Sequence, residues 1–206
     1  MPPRFAFILA AWALVAGCGS DTDPAPAPPA SQTRDVGEDC LLMVWSAQDR
    51  RDVPFDRAHD RAEGGAISCA TGTSASRFEE AIGALRTAAQ SGDKAGVLDQ
   101  LGLPLTWIDA GGERHELTDR AAVEAVFDDV FDPAMLATLR DLDLERMAVA
   151  RDGGSFALGT LWLVVDTAGG RPRLVTVNRQ ALDEAAAAAV RQAERNQGAP
   201  VPFDKP

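Results

Sequence analysis

Apolar positions along the chain fall into runs whose spacing changes from one stretch to the next. Residues 5–15 are unbroken apolar, followed by the small pair Ala16 and Gly17 and then Cys18. Across residues 36–50, Cys40, Leu41, Val44 and Trp45 recur at helical spacing, which predicts a helix there. Residues 51–65 are dense in charge and read as loop, and 66–72, with Ile67 and Cys69, reads as extended. Ser76-x-x-Glu79 has the form of a capping box, in which paired side chains satisfy the free amides of a helix start. Phe78, Ile82 and Leu85, with Ala81 and Ala89, give the following helix one apolar face, and Gly92 stops it. Asp93 then caps a shorter helix carrying Val97, Leu98 and Leu101, closed by Gly102 and Pro104.

Residues 105–109 read as a strand that turns at Ala110-Gly111-Gly112 and pairs back through 113–117. Thr118 or Asp119 caps a third helix with Val123, Val126, Phe127 and Val130 on one face. Asp132-Pro133 starts a further short helix, since proline suits the first helical position, with Met135, Leu136 and Leu139 as its apolar side. Three β segments follow at 145–151, 155–166 and 173–179, turned by Asp152-Gly153-Gly154 and Ala168-Gly169-Gly170. Gly159 sits near the centre of the long middle segment and predicts a bend. Five consecutive alanines from Ala185 make 182–197 a helix with few large apolar side chains to dock it.

Two helices, a strand pair, a helix and a meander of strands over residues 76–179 resemble the cone-shaped fold of nuclear transport factor 2, ketosteroid isomerase and SnoaL-like cyclases. The resemblance rests on element order and glycine placement, not on a catalytic motif. It implies an α+β domain, with helices packed on a strongly curved antiparallel sheet and a pocket at its mouth. The expected organisation is 1–17 leader, 18–34 tether, 35–75 N-terminal cap, 76–180 cone-like domain and 181–206 Ala-rich helix and tail.

The first segment carries one charge, Arg4, before an apolar run too short to span a bilayer. Leu14-Val15-Ala16-Gly17-Cys18 resembles the lipobox of bacterial lipoproteins. That resemblance implies cleavage before Cys18, diacylglycerol on its sulfur and acylation of the new terminus. An ordinary signal peptide with a chance cysteine is the alternative. Several acyl chains on one residue give a firm anchor, whereas one gives only reversible binding. Gly19 and Ser20 follow the cysteine rather than Asp, which by the same analogy favours the outer membrane, facing the periplasm. Pro24, Pro26, Pro28 and Pro29 make the next stretch a semi-extended tether of about 3.1 Å per residue.

Composition narrows the partners. A net charge of −11 argues against nucleic acid, and against broad adhesion to anionic lipid, so the expected membrane contact runs through lipid on Cys18. An envelope protein is the other partner expected. Cys40 and Cys69 remain as an even pair in an oxidising compartment, which favours a disulfide pinning the cap; free thiols and a metal pair are the alternatives.

Catalytic chemistry is sparse. There is no GxSxG, HExxH, P-loop or GxGxxG, and nothing calls for a cofactor or a metal. The chain has no tyrosine, so the Tyr-plus-Asp oxyanion arrangement of ketosteroid isomerases does not carry over. Asp109 reads as a turn residue, with a general base as the alternative; His115 reads as an edge histidine, with acid–base work as the alternative. His59, amid Arg and Asp, and the adjacent pair Asp128 and Asp129 read as solvated. Trp107, Trp162, Leu105, Phe156 and Val164 are core residues or, if a pocket exists, its wall. The expected function is therefore a lipid-anchored, non-catalytic binding or interaction protein. A SnoaL- or isomerase-like enzyme and a structural accessory subunit of an envelope complex are the alternatives.

Overall fold

The computed structural model describes residues 36–197, with side chains to residue 195, within one compact unit, Arg34–Pro206. The leader, Cys18, the tether and the last nine residues lie outside the described residues.

The unit is α+β, with helices and a six-stranded sheet. The cap comprises α1 (Val36–Ser46), α2 (Val53–His59), the two-residue strands β1 (Arg61–Ala62) and β2 (Gly65–Ala66), and α3 (Ile67–Thr71). Two expectations change here. The charged stretch after α1 is not loop, because Asp52 accepts from Phe55 N and Pro54 occupies the first turn, together starting α2. The stretch expected to be extended is helical at α3, and Gly72 (φ 70°) closes it with a bond from its N–H to Ser68 O. A disulfide joins Cys40 on α1 to Cys69 on α3.

Helix α4 (Ala75–Ser91) buries Phe78, Ile82 and Leu85 as its periodicity predicts, and α5 (Lys94–Leu98) follows under an Asp93 cap. The capping residue of α4 is Ser74, not Ser76. Ser74 Oγ accepts from Arg77 N, while Glu79 reaches forward to pair with Arg86. Strand β3 (Leu101–Ile108) begins four residues earlier than expected, so Gly102 and Pro104 lie inside it. Its register with β8 shifts between Leu101 and Thr106, and a strand proline is accommodated at such an irregularity. Strand β4 (Arg114–Leu117) pairs back on β3, with Trp107 opposite His115. The third helix breaks at Val126 into α6 (Arg120–Ala125) and α7 (Phe127–Val130), and α8 (Pro133–Arg140) starts under the Asp132 cap.

The β region differs most from expectation. Residues 145–151 divide into a 3-10 turn and β5 (Ala148–Ala150). The long middle segment is not one bent strand. It folds back as β6 (Gly153–Phe156) and β7 (Leu161–Val164), with Ala157, Leu158 and Gly159 all at positive φ in the reversal. Gly153 and Gly154 lie in β6 rather than in a turn: a Cβ on Gly153 would stand 2.2 Å from Leu163 O, and one on Gly154 2.4 Å from Met147 Sδ. Strand β8 (Arg173–Asn178) leads directly into α9 (Arg179–Gln197), three residues before the expected start.

The sheet order is β4-β3-β8-β7-β6-β5. It is mixed, not antiparallel. The meander enters at the far edge and ends beside β3 running in the same direction, so β3 and β8 are parallel while the other pairs are antiparallel. One face carries Leu105, Leu161, Leu163, Leu174 and Val177 into a common core with α4, α8 and Phe131. Helix α9 is exposed along most of its length, and Leu182 is its contact with that core.

Candidate functional site

The β3–β4 turn and the α7–α8 corner meet at one end of the sheet. Asp109 ends β3, and its Oδ1 accepts from Gly111 N at 2.8 Å and Glu113 N at 3.0 Å, which fixes the turn. Its other oxygen accepts from His115 Nε2 at 3.1 Å. Cross-strand pairing sets His115 against Trp107, and the two rings stack with centroids 4.6 Å apart. The hydrogen bond from His115, then those from Glu113 and Gly111, hold the Asp109 carboxyl below the usual carboxylate range. Asp109 is thus an ionised acceptor anchored on three sides, a poor general base near neutral pH.

Beside this pair lies an open cavity of about 470 Å³, bordered by Trp107, Asp109, Asp128, Asp129, Asp132 and Arg179. Asp132 caps α8 through Oδ1 and accepts from Arg179 Nε through Oδ2 at 2.8 Å. Asp128 pairs with Lys94 at 2.6 Å. Trp107 Nε1 is buried with no hydrogen-bond partner among the described residues. Asp109, Glu113 and His115 also place one ligand-type atom each within 4.8 Å of one another. A cation could be held there only in competition with the His115–Asp109 bond and the two amides on Asp109.

The five apolar wall candidates do not share a surface. Trp107 borders the cavity. Leu105 and Phe156 are core, and Phe156 also edges a separate cavity of about 640 Å³ beside Leu142 and Leu158. Trp162 and Val164 alternate with the buried Leu161 and Leu163 and so lie on the opposite face of β7. His59 stacks on Phe55, and its Nδ1 lies 2.9 Å from Phe55 O, far in sequence from the site.

Sequence reasoning missed that Asp128, Asp129, Asp132 and Arg179 converge on one cavity. The aspartate caps of α6 and α8, Asp119 and Asp132, were legible, but the 47-residue separation of Asp132 and Arg179 leaves no local signal. It also missed the fully buried Asp56, which accepts from Trp45 Nε1 and Ser76 N at 2.8 Å each and ties α1, α2 and α4 together.

No protein-family model, no curated protein and no solved structure matches this chain.

Proposed function

We propose that the chain is a lipid-anchored, non-catalytic binding or interaction protein of the bacterial cell envelope, held through Cys18 and facing the periplasm from the outer membrane. The sequence supports the anchor through Leu14–Cys18 and the proline-rich stretch behind it. The observation that carries the binding reading is the cavity beside Trp107. It offers an aromatic edge and carboxylates, while the nearest base, Asp109, is committed to turn amides and to His115. We infer further that residues 76–180 form a cone of the nuclear transport factor 2 type. Its support is the order α4, α5, β3–β4, α6 to α8 and β5 to β8, and the register shifts in the β3–β8 and β7–β8 pairs, irregularities of the kind that bulges introduce.

The test is recovery of the intact lipoprotein from its own envelope, beside a Trp107→Ala, Asp129→Asn variant. The binding reading expects a companion, protein or small molecule, that the variant loses. Identical recovery from both would remove the cavity from the account.

A second reading, an isomerase-like enzyme, draws on one observation: the Asp109–His115 pair borders an open cavity. It expects turnover that His115→Gln abolishes while the fold is kept.

A further inference from the structure

The chain carries 20 Lys and Arg against 31 Asp and Glu, yet three arginines gather around one cavity on the cap. The cavity, about 590 Å³, is bordered by Arg50, Arg51, Asp52, Ser76, Arg77 and Glu80. Arg50 and Arg51 are consecutive in the loop between α1 and α2, are exposed, and have no hydrogen bond or ion pair among the described residues. Arg77 Nη1 reaches Glu80 Oε2 only at 3.4 Å, and Arg77 Nε is buried without a hydrogen-bond partner among the described residues.

The remaining groups around the cavity are already engaged. Asp52 Oδ1 accepts from Phe55 N as the cap of α2. Ser76 N is taken by Asp56 Oδ1, and Arg77 N by Ser74 Oγ. The surplus donors are therefore guanidinium N–H groups rather than the amides of α4. A planar guanidinium fork presents paired donors to two oxygens of one anion, and neighbouring forks suit a tetrahedral oxyanion better than a point cation would.

We propose that Arg50, Arg51 and Arg77 form a binding site for a phosphate-type oxyanion, distinct from the Trp107 cavity. The anchor proposal is not needed for it. The same chemistry is offered by free phosphate and by a phospholipid headgroup.

The test uses the full chain with Cys18→Ser, so that no acyl chain confounds membrane retention. Inorganic phosphate is titrated at constant ionic strength, with chloride as the control, while the Arg77 Nε–Hε resonance is followed. Constant ionic strength matters because exposed charges are screened by salt. The expected result is a saturating shift with phosphate and not with chloride, weakened roughly tenfold or more by Arg50→Ser, Arg51→Ser. Arg77→Lys, followed instead through the Arg51 Nε–Hε resonance, keeps the charge but loses the fork, and weakens binding with the fold retained by circular dichroism. A second arm mixes the chain with phosphatidylglycerol or phosphatidylcholine vesicles. Retention on the former that the double variant loses assigns the site to headgroups; phosphate saturation without retention assigns it to a soluble oxyanion. Linear shifts equal for phosphate and chloride, with no retention, overturn the proposal, as does a double variant that binds like the parent.

Discussion

Trp45 on α1 donates its indole N–H to Asp56 on α2 at 2.8 Å, and both residues are almost wholly buried. The other Asp56 oxygen takes the backbone N–H of Ser76, so one carboxylate fastens the cap to the start of α4. Asp56→Ala leaves the buried Trp45 indole N–H and the half-buried Ser76 amide unpaired, and a buried donor left unpaired costs about 1–3 kcal/mol. The expected loss is about 3 kcal/mol of unfolding free energy, read by denaturant titration, and Asp56→Asn should recover part of it.

The Cys40–Cys69 disulfide closes a loop with a sequence separation of 29. In the chain-entropy description that loop is worth roughly 3–4 kcal/mol. Cys40→Ala, Cys69→Ala should lower the denaturation midpoint accordingly, and reduction should do nothing further to the variant. A parent that gains two thiol adducts without reduction would contradict the pairing.

Two neighbouring glycines in β6 give unequal predictions. A Cβ at Gly153 meets the backbone oxygen of Leu163, which cannot move without breaking the β6–β7 ladder. A Cβ at Gly154 meets the flexible end of Met147. Overpacking costs about 1–3 kcal/mol, so Gly153→Ala should fall at the upper end and Gly154→Ala at the lower. Thermal melts of the pair decide the order.

Two carboxylates give opposite pH dependences. Asp109 is held below the usual carboxylate range by His115 and the turn amides. Its contribution is present above the unfolded pKa of about 3.9 and is lost as pH falls through the folded value. Asp60 is pushed up by burial, against the opposing hydrogen bonds from Ser68. The folded state therefore holds its proton longer than the unfolded chain does, and stability declines as pH rises from about 3.9 through the folded value. Asp109→Asn should flatten the acid loss and Asp60→Asn the opposite slope, in unfolding curves taken across that window.

Much of the fold was legible from local signals. Phe78, Ile82 and Leu85 announced α4, Asp93 and Asp132 announced their helices, and Ala110-Gly111-Gly112 announced the β3–β4 turn. The errors have physical causes. Ser76, with Glu79 three residues on, has the capping-box signature that Ser74 lacks, but the buried Asp56 takes Ser76 N and leaves the cap to Ser74. The reversal at Ala157 and Leu158 uses left-handed backbone at two non-glycine residues, a conformation that side chains of that kind do not advertise. The parallel β3–β8 pair depends on the route of the whole chain, not on any window of it. At the site, Trp107, Asp109 and His115 were singled out individually, and their stacking and 3.1 Å bond follow from a cross-strand register visible only in the fold.

The anchor is tested most directly by mass spectrometry of the N-terminal peptide after expression in a bacterial envelope. The account predicts a chain beginning at Cys18, with diacylglycerol on sulfur and an acyl group on nitrogen. An unacylated chain with a different first residue would contradict it.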